Sequence, residues 1–306
     1  MSNTTLKKGF KFRIYPTQEQ ALLIEKTFGC CRKVYNELLA QSKNEYDLWK
    51  QGKGDKPKVS GYDLSSSLTL LKAKDDYNYL NEVSSKALQN SVIKLGEAFS
   101  NFFKNKSSYP KFKSKHKNND SFTLTNNTDS RSGYFSLEKD LLLIAKQKNP
   151  IKVILHRELS SYPTRVTISK NPAGQYFASF LCSYIPEPTN GQGIVGIDLG
   201  IKTLATMSNG VEISNPKHYV KSQKRLTILQ RRLSKKKKGS RNRDKARLKV
   251  ARLHLKITNQ RQDYLHKLSR SLVNDNQVIV IEDLHVKGMS RNHSLAKHIL
   301  DGGFGL

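Results

Sequence analysis

Forty consecutive residues, Lys217 to Lys256, carry 17 Lys and Arg against one acid, Asp244. No other feature restricts the folding of the chain as much. Like charges at this density stay in water, because an unpaired ion in the interior costs several kcal/mol. The segment must therefore project into solvent, with only a narrow apolar seam to pack on. Leu226, Leu229 and Leu233 offer that seam at helical spacing, and Leu248, Leu255 and Leu265 resume it. Between them stands "SKKKKGSRNRD". The pattern predicts a helical hairpin with a lysine-rich tip. Arg231, Arg232, Lys235, Lys236, Lys237, Lys238, Arg241 and Arg243 are its candidate nucleic-acid-binding residues. A charge run is ordinarily a solvated face, but this one contributes +16 of a formal net charge of +29, more than solubility requires. A polyanionic partner is expected. Nucleic acid is favoured over membrane, because no apolar run is long enough to span a bilayer.

Strand-like segments flank the basic run. Before it come "GIVGIDLG", "TLATMSNG" and "VEIS", the last two joined by a tight turn at "SNG". After it comes "QVIVIEDLH", whose successive apolar residues Val278 to Ile281 predict a strand buried on both faces of a parallel sheet. Three antiparallel strands, a helical crossover and a parallel strand make the order of a ribonuclease-H-like domain. In that order the last strand lies beside the first, so Asp198 and Glu282 emerge together at one end of the sheet. Two-metal phosphodiester hydrolysis needs carboxylates around a pair of Mg²⁺ ions. Asp198 and Glu282 are thus the candidate catalytic and metal-binding residues, with Gly196 and Gly200 leaving room for a phosphate backbone. Taken singly, each has a plainer reading: an Asp before Gly is a common turn residue, and a Glu after an apolar strand a solvated strand end. Asp283 points the other way on an extended chain and suits a structural role. His156, His285 and His293 form no metal-ligand spacing.

The N-terminal half reads differently. "GFKFRIYP" alternates, with Phe10, Phe12 and Ile14 on one face, and predicts a half-buried strand. Thr17 and Gln20 stand at capping-box spacing, so a helix starts there and runs towards Ala40, with Gly29 expected to interrupt it. A second helix is expected after Ser84 or Ser85. Beyond a basic stretch with interleaved Tyr109 and Phe112, equally readable as core or as stacking platforms, come short strands, including a hairpin at "SKNPAGQYF". These strands and the first are expected to close a small β-barrel with the helices inserted. "IPEPTNGQG", Ile185 to Gly193, reads as a linker. The expected architecture is α+β in two domains: residues 1–190, a barrel with inserted helices, and residues 191–306, an α/β ribonuclease-H-like domain with the basic hairpin inserted. Cys30, Cys31 and Cys182 form no disulfide framework and suit a reducing compartment. No C-x-x-C pair exists, so no zinc ligands are expected. The N-terminus has no apolar signal core.

Taken in order, "GFKFRIYPTQEQ", "TFGCCRKVYNELL", "YPKFKSK" with "DSFTLTN", "GIDLGIKTLAT" and "VIVIEDLHVKGMSRN" resemble the TnpB/OrfB proteins of insertion sequences, relatives of type V CRISPR effectors. The resemblance covers nearly the whole chain. It implies an RNA-guided DNA endonuclease of the prokaryotic cytoplasm, associated with the nucleoid when bound, with guide RNA and target double-stranded DNA as partners. The N-terminal barrel (WED-like) and helices would bind both, and a RuvC-like domain would cut, with Asp198 and Glu282 as its first two carboxylates and Mg²⁺ as its cofactor. The family continues with a further helix, a zinc ribbon and a third aspartate after the segment reading "SLAKHILDGGFGL" here. On that comparison the chain is expected to be a C-terminally truncated member with an incomplete two-ion site and impaired cleavage. A nucleic-acid-binding protein without cleavage is the alternative. "GIDLG" also resembles the first phosphate loop of actin-like sugar kinases and ATPases, but the later strand ends in "IEDLH" without their glycine pair.

Overall fold

The computed structural model describes residues 5–115, 120–126, 133–186, 191–292 and 294–305. The chain forms two compact units, residues 1–186 and 187–306. Residues 187–190 of the expected linker, and His293, lie outside the described residues.

Unit 1 is built on β1 (Leu6–Tyr15), whose alternation buries Phe10, Phe12 and Ile14. Three helices follow: α1 (Gln18–Lys50), α2 (Gly61–Lys72) and α3 (Ser85–Phe103), with a 3₁₀ stretch at Asp75–Glu82. Then come β2 (Ser121–Thr125), β3 (Phe135–Glu138), β4 (Leu141–Ile144), β5 (Ile151–Ile154), β6 (Arg165–Lys170) and β7 (Tyr176–Tyr184). They form one antiparallel sheet in the order β2-β6-β7-β1-β5-β4-β3. Asn126, just past β2, accepts from Tyr134 N at 2.9 Å and donates to Phe135 O at 2.7 Å. One side chain thus ties the two edge strands, and the sheet is a nearly closed barrel. Phe12, Leu124, Val166, Phe180, Val153 and Leu142 belong to its buried core.

Thr17 caps α1 as its spacing predicts: Gln20 N donates to Thr17 Oγ1 at 3.3 Å and Thr17 N to Gln20 Oε1 at 2.9 Å. Thr17→Ala is expected to cost about 1 kcal/mol, measured as a shift in urea midpoint at unchanged slope. Gly29 does not interrupt α1, which is one helix of 33 residues. A helical glycine costs about 1 kcal/mol, and the burial of Phe28, Cys30, Cys31, Val34 and Leu38 around it outweighs that. Leu22, an apolar residue of the helix, is exposed. Helix α2 was not expected, although Ser60 caps it and Leu64, Leu68 and Leu71 bury its one face. The three cysteines are buried free thiols, and burial pushes Cys31 up to about 12.

Unit 2 opens with β8 (Gly193–Leu199), β9 (Thr203–Met207) and β10 (Glu212–Ser214). The basic run forms α4 (His218–Ser234) and α5 (Arg241–Asp275), and β11 (Asn276–Ile281) follows without a loop. Two short helices, α6 (Val286–Met289) and α7 (Ala296–Gly302), complete the unit. The sheet order is β10-β9-β8-β11, antiparallel except for the parallel pair β8–β11. The parallel pairing agrees with the sequence, but the burial of β11 does not: Val278, Val280 and Ile281 are exposed. Val195, Ile197 and Ala205 pack on Leu272 of α5 and on Ile279, so one face of the sheet has a small core. The opposite face of β11 is uncovered among the described residues.

Candidate functional site

Asp198 lies within β8 and is exposed, paired across to Thr206 of β9. The β11–β8 register runs through Val278↔Ile194, Ile279↔Val195, Val280↔Gly196 and Ile281↔Ile197. Carried one position on, it sets Glu282 beside Asp198. Residues in register on adjacent parallel strands share a face, and this is the face of Ile194, Gly196, Val278 and Val280. Glu282 is exposed as well. Asp283, which follows the strand, is exposed too. His285 is exposed and immediately precedes α6.

Gly193 and Gly200 set this geometry. A Cβ on Gly193 would meet Asn276 Oδ1 at 2.5 Å, so glycine lets β8 start hard against β11. A Cβ on Gly200 would lie 2.7 Å from Thr203 O, so the turn after Asp198 closes only on glycine. A Cβ on Gly196 would make ordinary contact with Ser208. Asn276 also donates to Leu272 O at 2.9 Å, ending α5 where β11 begins.

The hairpin forms as its apolar seam requires, although the buried residues are Leu226, Leu253 and Ile257, with Leu229 and Val250 against them. Arg231 and Arg232 lie on α4, Lys235 to Lys238 in the turn, and Arg241 and Arg243 at the start of α5. All except Arg243 are exposed. Arg243 Nη1 donates to Leu233 O at 3.0 Å and Lys236 O at 2.8 Å, capping the end of α4. Sequence reasoning concentrated on the tip and missed the groove between the helices. Arg225, Arg232, Lys249, Arg252 and Lys256 line a groove of about 760 Å³ floored by Ile228, Leu229 and Leu253. A second hollow of about 310 Å³ is lined by Arg232, Lys236, Lys245 and Lys249. The signal was present as basic residues at helical spacing on both helices.

The start of α4 depends on a residue that sequence reasoning passed over. Lys217 precedes it in a left-handed conformation, φ 50°, with no side-chain cap. Buried Asp301 of α7 accepts from Tyr219 N at 2.8 Å and Val220 N at 3.3 Å instead. Asp301→Ala is expected to cost about 1–2 kcal/mol, read in urea unfolding, and Asp301→Asn less.

Comparison with known proteins agrees with this description. Residues 163–293 match the OrfB family model described as "Probable transposase", and residues 1–52 one described as "Helix-turn-helix domain". A Streptomyces pristinaespiralis protein named "Putative RNA-guided DNA endonuclease" is 42% identical over 303 residues, covering 98% of this chain and 72% of its own length. The chain belongs to the TnpB/OrfB family. Escherichia coli K12 InsQ, of the same name, is 32% identical over 288 residues, covering 93% of this chain and 68% of its own. A cryo-EM structure of a Cas12f1–sgRNA–target DNA complex has a related fold, with TM-score 0.52 and 12% identity over 98% of this chain and 87% of that one. The helix-turn-helix description does not fit this family member: its segment is β1 and a single uninterrupted α1. Among the described residues no three His, Cys, Asp or Glu side chains cluster as a metal site. No helix among them is long and apolar enough to cross a membrane.

Proposed function

We propose that this chain acts in RNA-guided cleavage of double-stranded DNA, with Asp198 and Glu282 as carboxylates of a RuvC-like site. The register of β11 on β8 carries this reading, because it brings the two acids to adjacent positions on one face. Membership of a family whose curated relatives bear the endonuclease name supports it. Two neighbouring exposed carboxylates fit a hard divalent cation that keeps several waters, as Mg²⁺ does. They do not make up a two-ion site by themselves, since no third acid joins them among the described residues. The ion, when bound, would activate water and stabilise charge on the phosphate. The chain's own contribution is to hold the two acids on short, rigid strands.

The groove and tip of the α4–α5 hairpin would hold a phosphate backbone. The 17 Lys and Arg of residues 217–256 neutralise phosphates and release counterions, so binding should weaken steeply with salt. We assign recognition of guide RNA and target duplex to residues 1–190 together with this hairpin, and cutting to residues 191–306. The test is cleavage of plasmid DNA by protein loaded with an RNA complementary to it, in Mg²⁺. Cutting that requires complementarity supports the reading. Salt-sensitive binding without any cutting would favour a binding protein lacking cleavage.

A further inference from the structure

In unit 1, Lys94, Lys113 and Arg165 have no salt-bridge partner among the described residues. Lys94 of α3 donates to Thr123 Oγ1 of β2 at 3.0 Å, and that hydroxyl lies 3.0 Å from Thr167 Oγ1 of β6. Arg165 stands two residues before Thr167, on the same face of the strand, and its charge reaches Lys94. Lys113 joins them. Its backbone is pinned to Asn36 of α1 by two hydrogen bonds, 2.8 and 2.9 Å, and its ammonium sits 3.8 Å from the centre of the Tyr35 ring. Burial holds both ammonium groups below the usual lysine range. Lys113 is lowered further by Lys94, and Lys94 by Arg165.

Elsewhere unit 1 pairs its half-buried cations, Arg32 with Asp120 and Lys170 with Glu25. Among the described residues, neither Lys94 nor Lys113 has a salt-bridge partner. The carboxylate bearing on Lys94 is Glu97, one turn along the same helix. Holding two ammonium groups and a guanidinium together costs stability in the free protein. An anion from outside would remove that cost, and the cluster is open to one, since Lys94 and Arg165 are exposed.

We propose that Lys94, Lys113 and Arg165 form a site for a phosphodiester phosphate of a bound nucleic-acid strand, with Thr123 and Thr167 fixing the Lys94 ammonium. This rests on the nucleic-acid reading given above. It adds a specific anchoring point on the barrel side of the inserted helices, separate from the basic hairpin.

The experiment compares the full chain with the double variant Lys94→Gln/Lys113→Gln, and separately with Arg165→Gln. Affinity is measured against salt in two arms, a 20-base-pair DNA duplex and a single-stranded RNA, alongside thermal melting. The expected result for the double variant is a melting temperature unchanged or raised, with the log–log salt slope reduced by about one to two. Arg165→Gln is expected to reduce it by about one. The arm that changes identifies the strand held. An unchanged slope in both arms, or a lowered melting temperature in the double variant, would overturn the proposal. If the parent chain binds neither probe in a salt-dependent way, the nucleic-acid reading fails and this site with it.

Discussion

Asp198→Ala is expected to weaken divalent-cation binding and DNA cleavage together while leaving nucleic-acid affinity unchanged or slightly raised. On the proposed assignment this carboxylate would help hold an ion whose Lewis acidity contributes several kcal/mol to the transition state, so cleavage should fall roughly 10²–10³-fold. Affinity for a phosphate backbone should not fall, because a negative charge beside phosphates only repels them. Glu282→Gln should behave alike, and the double variant little worse than either, because residues acting as one unit are not additive. Mn²⁺ binding by calorimetry, guide-loaded cleavage and mobility shift check the three parts. Unchanged cutting by Asp198→Ala, or unchanged Mn²⁺ affinity, would remove the residue from the site.

Neutralising the groove should have the second large effect. The variant Arg225→Gln/Arg232→Gln/Lys249→Gln/Arg252→Gln removes four cations that line one groove between α4 and α5. Its salt slope on duplex DNA is expected to fall by about three to four, and its affinity near 0.15 M salt by roughly 10²–10³-fold. Urea unfolding should barely change, because the seam that joins the helices is Leu226, Leu253 and Ile257. Neutralising Lys235, Lys237 and Lys238 at the tip, outside the groove, serves as the comparison. Equal losses from both sets would mean that net charge matters and groove geometry does not.

Much of the local structure was readable from residue order. Alternation in "GFKFRIYP" placed β1, the Thr17–Gln20 pair placed the start of α1, and the leucines around the lysine-rich tip placed the hairpin. These features depend on backbone preference and solvation within a few turns. Two of the errors have one origin, packing between distant segments. Gly29 is a local weakness that long-range packing outweighs. Val278 to Ile281 are apolar enough for two buried faces, but burial depends on what lies across from a strand. The missed α2 had its cap and its leucines in plain order.

The sequence by itself determined where the strands end, where the charge gathers, and that Asp198 and Glu282 stand at strand ends 84 residues apart. It also carried the family. Strand order already pointed to the pairing of β11 with β8; only the tertiary structure decided its register, Ile281 against Ile197, that Arg243 caps a helix, and that the basic residues of α4 and α5 share a groove. It alone gathered Lys94, Lys113 and Arg165, which come from a helix, the segment after it and a distant strand. The reason is physical. Periodicity records which face a residue shows to water, whereas register and grooves arise from close packing between segments far apart in the chain.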